Sequence, residues 1–146
     1  MTIIRTVGLL GVLLLSALSW IGMPGSVRAK TDHRMTKEEA LRLGEAFGVV
    51  VGEVDEEIRR MLRLQRPEGV VVFEVIGNRP ADLAGIKPKS IIKEIDKMEI
   101  KTLEDFGRAL EAASDNFTVA TFEPADPDNQ GVGAGLNFYF VRIPKD

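Results

Sequence analysis

Few side chains in this sequence are of the types that carry out covalent chemistry. There is one histidine, His33, and no cysteine. A thiol nucleophile, a lipid-modified cysteine, a disulfide framework and a thiolate metal site are therefore excluded. Zinc would have to draw most of its ligands from carboxylates, because a single imidazole is all the chain offers. An activated serine needs a base beside it, and the Gly-x-Ser-x-Gly turn that exposes such a serine is absent. The segment Asp126-Pro127-Asp128-Asn129-Gln130-Gly131 partly follows a calcium loop. Asn137 stands where the closing acid belongs and Pro127 is awkward, so a solvated hairpin tip is expected instead. The sequence thus predicts no metal, no cofactor and no enzyme, which leaves non-covalent recognition as the chemistry to be positioned.

The elements that would position it occupy most, but not all, of the 146 residues. Residues 1–29 carry Arg5 and Arg28, no acid, and an apolar run from Thr6 to Met23 that ends at Pro24-Gly25. That layout reads as a secretory signal, with cleavage expected after Val27-Arg28-Ala29. An uncleaved anchor is the alternative, since the run is near the lower limit of about 17 residues for a membrane-spanning helix. Without residues 1–29 the chain has 17 basic and 22 acidic residues, a net charge of −5. Phosphate neutralisation calls for a basic stripe, so nucleic acid is not an expected partner.

From Lys30 onward the pattern is of short elements. Lys30 to Ala46 is a lead-in: Thr36-Lys37-Glu38-Glu39 forms a capping box that opens a short helix, closed by Gly44 or Gly48. Val49 to Val54 is a β-branched run bounded by glycine and reads as a strand. Asp55-Glu56-Glu57 places acids at a helix start, and Ile58, Met61 and Leu62 give that helix its apolar stripe. Gly69 to Ile76 is the strongest strand, ended by Gly77-Asn78. Pro80 opens a very short helix capped by Gly85. Ser90 to Ile95 is a strand that turns at Asp96-Lys97 into Met98-Glu99-Ile100. Thr102 caps the next helix, whose apolar positions Leu103, Phe106, Leu110 and Ala113 share a face. Phe117 to Phe122 and Asn137 to Ile143 form a hairpin with an enlarged tip. The expected fold is a small α+β domain of five to six short strands and two or three short helices, following the lead-in.

Several segments in this order resemble the PDZ family, in the form appended to bacterial HtrA- or Deg-type proteases. Gly69-Val70-Val71-Val72-Phe73-Glu74-Val75-Ile76 and Arg79-Pro80-Ala81-Asp82-Leu83-Ala84-Gly85-Ile86-Lys87-Pro88 match the family's strand, its "SPAAxAGL" helix and its "KPGD" turn. Ile91 to Ile100 stands where the family has "VIxxINGxxV", and Thr102-Leu103-Glu104-Asp105-Phe106 where it has its groove helix. The resemblance implies a partly open PDZ-like barrel or sandwich over residues 47–146, without the protease domain. Lys89-Ser90 and Asp96-Lys97 replace the usual Gly-Asp and Asn-Gly, so both turns are expected to adopt other geometries. Gly107, inside the groove helix, is read as a weak point worth about 1 kcal/mol rather than as a site of close approach.

By the same resemblance, the domain would bind an extended or C-terminal peptide as an added strand, outside the cytoplasmic membrane. Ala46-Phe47-Gly48-Val49 is similar to the family's carboxylate-binding loop, so the amides of Phe47, Gly48 and Val49 would hold a terminal carboxylate. Phe47, Val49 and Val51 would line an apolar pocket with Leu103, Phe106 and Leu110, which implies an apolar last residue on the ligand. Apolar periodicity alone does not separate a pocket from a core. Glu45 would repel a carboxylate unless Arg42 or Lys37 offsets it. The lead-in helix from Thr36 to Ala46 lies close enough to Phe47 to pack into the groove, and the sequence leaves that point open. Three roles follow: a periplasmic or secreted adaptor that binds peptides, a structural assembly protein, or a regulatory subunit of a separately encoded protease. Contact with a membrane would run only through residues 1–29.

Overall fold

The computed structural model describes residues 33–126, 128 and 133–144. The expected signal segment, residues 1–29, and most of the hairpin tip lie outside the described residues. Six strands form one sheet in the order β1-β2-β3-β5-β6, with β4 also paired to β3. They are β1 (Val49–Glu53), β2 (Val70–Val75), β3 (Ile91–Ile95), β4 (Met98–Glu99), β5 (Asn116–Glu123) and β6 (Gly135–Arg142), and every pairing is antiparallel. Four helices accompany them among the described residues: the lead-in helix α1 (Lys37–Phe47), then α2 (Glu56–Met61), α3 (Pro80–Ala84) and α4 (Leu103–Ala112).

The apolar start of β2, Val70 to Val72, is explained by burial on both faces of the sheet. Val70 and Val72 enter the main core with Phe106, Ile92, Ile95 and Val119, whereas Val71 packs on the opposite face with Val54, Leu64 and Ile91. Such two-sided burial removes the polar alternation a half-exposed strand would show. Both long helices start at their expected caps. The Thr36 hydroxyl accepts from the Glu39 amide at 3.2 Å, and the Thr102 hydroxyl accepts from the Asp105 amide at 3.1 Å. The reciprocal carboxylate bonds complete both capping boxes.

Two expectations are corrected here. The turns at Lys89-Ser90 and Asp96-Lys97 hold the left-handed backbone that glycine favours: Lys89, Asp96 and Lys97 have φ of 67°, 48° and 69°. Hydrogen bonds hold them there. The Lys89 amide donates to the Val72 carbonyl at 2.7 Å and the Asp96 amide to the Thr118 carbonyl at 2.8 Å. Side chains other than glycine cost about 1–2 kcal/mol in this region, and the sheet pairing offsets it. Gly107 is a site of close approach after all. A Cβ there would lie 2.6 Å from Met35 Sδ and 2.8 Å from the Ala40 Cβ.

Candidate peptide-binding cleft

Among the described residues β1 is an edge strand, paired only to β2. On its other side lie the two helices that decide what the edge can do. The β1 and α4 elements are tied at one end by Glu53, whose Oε1 accepts from the Leu103 amide at 3.2 Å. The other oxygen, Oε2, takes a hydrogen bond from Lys37 Nζ at 2.7 Å, so the same carboxylate also holds the start of α1. That bond is the main reason the Glu53 carboxyl sits below its ordinary range, with burial working against it and the Leu103 amide adding to it. Lys37 is correspondingly raised, by the Glu53 hydrogen bond and charge.

α1 therefore begins beside the end of β1 and, through Gly48, finishes at its start. Eleven helical residues at about 1.5 Å each match five strand residues at about 3.3 Å each, so α1 runs back along the whole length of β1. Its buried face carries Ala40, Gly44 and Phe47. Ala40 and Met35 lie over Gly107 of α4. Gly44 lies against both neighbours, since a Cβ on it would be 3.1 Å from the Phe106 ring and 3.4 Å from the Val49 carbonyl oxygen. Phe47 meets Phe117 with ring centroids 5.8 Å apart. Small residues on α1 and α4 permit this close helix pairing.

The structure places all seven sequence-predicted site residues around this cleft. Val49, Val51, Leu103 and Phe106 are buried, Phe47 and Gly48 end α1, and Leu110 is partly buried against the same core. Gly48 has φ 111°, a conformation suited to glycine, and its amide donates to the Gly44 carbonyl at 2.8 Å as the helix cap. In this conformation that amide serves α1. Phe47 belongs to the helix, and the strand begins only at Val49. The cleft is thus present in outline and filled by α1.

Sequence reasoning missed Met35, Ala40, Gly44, Glu53 and Gly107 as parts of this site. The available signal was the pairing of small residues, Ala40 and Gly44 on one helix with Gly107 on another. At the N-terminus of α4, burial works to raise the Asp105 carboxyl. Hydrogen bonds from Arg108, Lys101 and Thr102 outweigh it and hold the group below its ordinary range. Among the described residues no cluster of His, Cys, Asp or Glu could hold a metal ion, and no helix is long and apolar enough to cross a membrane. His33 Nε2 lies 2.9 Å from Glu39 Oε1, at the start of α1.

No protein-family model matches the chain. It is 33% identical over 54 residues to a probable periplasmic serine endoprotease, DegP-like, of Hahella chejuensis (strain KCTC 2396), covering 37% of this chain and 12% of that protein. Among solved structures, an HtrA-type protease AlgW with decapeptide matches with a TM-score of 0.51 at 20% identity, covering 66% of this chain and 27% of that one. An HtrA3 PDZ domain bound to a phage-derived ligand, FGRWV, matches with a TM-score of 0.51 at 18% identity, covering 68% of this chain and 84% of the domain. The chain therefore spans a minor part of the two proteases and most of the isolated domain. Its fold is the PDZ fold, as found in HtrA-type proteins.

Proposed function

We propose that this chain is a non-enzymatic PDZ module that binds an extended or C-terminal protein segment as an added strand on β1, and that α1 occupies the ligand's place until it is displaced. The observation that carries this reading is the cleft itself: an edge strand and a capped helix, with α1 laid along the strand between them. Strand addition supplies backbone hydrogen bonds whatever the ligand sequence, and Val49, Val51, Phe106 and Leu110 supply an apolar floor once α1 moves. The decapeptide and FGRWV ligands of the two matched structures support a peptide ligand, and the valine that ends FGRWV supports an apolar last residue. With α1 released, the amides of Phe47, Gly48 and Val49 become the carboxylate site.

An exported location fits the sequence of residues 1–29 and the periplasmic description of the DegP-like relative. The module would act there as an adaptor or as the regulatory part of a protease. A second reading is favoured by the filled cleft: an assembly protein that keeps α1 in place and admits no free peptide.

The deciding experiment titrates the folded chain with a short peptide ending in valine, once with a free carboxylate and once amidated. Binding of the free form and weaker binding of the amide support peptide-end recognition. Absence of binding by either at millimolar concentration overturns it in favour of assembly.

A further inference from the structure

The opposite edge of the sheet carries a feature that the cleft does not use. β6 is eight residues long and, among the described residues, pairs on one side only, with β5, in an unbroken register from Gly135 to Arg142. Edge strands in soluble domains are commonly blunted by proline, lysine, a bulge or very short length. β6 has none of these, and its only charge is Arg142 at the end. Along its outward face stand Leu136, Phe138 and Phe140, which are 62%, 67% and 82% exposed. Leu83 of the flanking helix α3 adds a further apolar side chain at 65%. Pro80, Leu83, Ala84, Phe140, Arg142 and Pro144 together line a shallow depression beside the strand. The β5 residues opposite these positions, Phe122, Ala120 and Thr118, are uncharged, so no like charge guards the face.

We infer that this edge is a homodimer interface, in which β6 pairs antiparallel with β6 of a second copy about a two-fold axis at Phe138. Antiparallel pairing of a strand with itself is self-complementary, because each residue i that meets j is matched by j meeting i. An axis at Phe138 sets Phe138 opposite itself and Leu136 opposite Phe140. Every exposed apolar side chain of the strand then gains an apolar partner across the pair. Centring one residue later would put Arg142 opposite Leu136. Two exposed phenylalanines and two leucines offer roughly 500 Å² per copy, so the pair reaches the threshold of about 1,000 Å² for a specific interface only with these side chains fully covered, and a weak, reversible dimer is the expected form. The unpaired amides and carbonyls of the edge would be satisfied in the same step.

The test compares the full chain with Phe138→Lys and Phe140→Lys by sedimentation velocity over a concentration series. Both side chains are exposed, so circular dichroism should show the variants folded. The expected result is a reversible dimer of the full chain, with each substitution weakening it roughly tenfold or more. Because the chain has no native cysteine, Phe138→Cys supplies an independent readout: mild oxidation should yield a covalent dimer that dithiothreitol reverses. A monomer across the series, a dimer indifferent to both lysine substitutions, or failure of Phe138→Cys to crosslink above the level of an exposed Met61→Cys control would each overturn the proposal. So would a monomer that instead binds neutral phosphatidylcholine vesicles through Phe138 and Phe140.

Discussion

Replacing Gly107 with alanine separates the two helices' claims on each other. The new Cβ would lie 2.6 Å from Met35 Sδ and 2.8 Å from the Ala40 Cβ. Met35 can swing aside, but the Ala40 Cβ moves only with the backbone of α1. Overpacking of this kind costs about 1–3 kcal/mol, and it falls only on the state with α1 docked. The gain in helix propensity of α4, about 1 kcal/mol, applies whether α1 is docked or not. The ratio of docked to undocked α1 should therefore drop by about 5–150-fold. A ligand that needs the undocked state binds with an apparent Kd divided by the fraction that is competent. Gly107→Ala should thus tighten binding of a peptide ending in valine by the same factor, levelling off once most molecules are undocked. Fluorescence anisotropy with a labelled peptide measures this, with a thermal melt run alongside. A folded Gly107→Ala that binds no more tightly than the unaltered chain refutes the reasoning.

Removing the Glu53 clasp gives a smaller effect of the same sign: the Lys37 pair is screened by solvent, so Glu53→Gln should improve apparent peptide affinity by no more than about fivefold in the same assay. The Glu53 carboxyl lies below its ordinary value of 4.5, so its contribution is complete above that value and is lost as pH falls through the depressed one. Protonation of the peptide's own carboxylate weakens binding to both proteins alike at low pH, so the ratio of the unaltered chain's affinity to that of Glu53→Gln should rise on acidification below 4.5. Lys97→Gly should raise stability by about 1–2 kcal/mol, because it removes a left-handed lysine from the β3–β4 turn, less the added entropy of an unfolded glycine; urea unfolding at unchanged slope measures it. Tyr139, the single tyrosine of the chain, is pushed up to about 12, first by burial and then by its 2.5 Å hydrogen bond to Glu123 Oε1. Alkaline absorbance titration should show no ionisation near 10 until the chain unfolds, and Glu123→Gln should lower the midpoint.

Local signals in the sequence were reliable where local chemistry decides the outcome. Thr36 and Thr102 cap their helices because a hydroxyl three residues from a carboxylate satisfies free amides with no help from the rest of the chain. The Gly69 to Ile76 run and the Pro80 helix formed as read for similar reasons. The β6 run lacks a clear alternation of apolar and polar residues because both of its faces are largely apolar, Tyr139 and Val141 toward the core and Leu136, Phe138 and Phe140 outward. What local pattern could not carry was contact between residues far apart in sequence. Gly107 reads as a flaw in a helix until Met35 and Ala40 are brought over it. Lys89 and Lys97 read as departures from a glycine turn, yet the hydrogen bonds of neighbouring strands impose the glycine-like backbone on them. The seven site residues lie together around one cleft, but the helix preceding Phe47 fills it, and only the packed structure shows that.

The central claim is that peptide and α1 compete for the same strand. The most direct measurement is a two-dimensional amide spectrum of the ¹⁵N-labelled chain titrated with a valine-ended peptide, following Val49 and Val51 in β1 together with Ala40 and Gly44 in α1. The account predicts that both sets shift along one saturating curve. Shifts in β1 that leave the α1 amides unmoved, or no shifts at millimolar peptide, would contradict it.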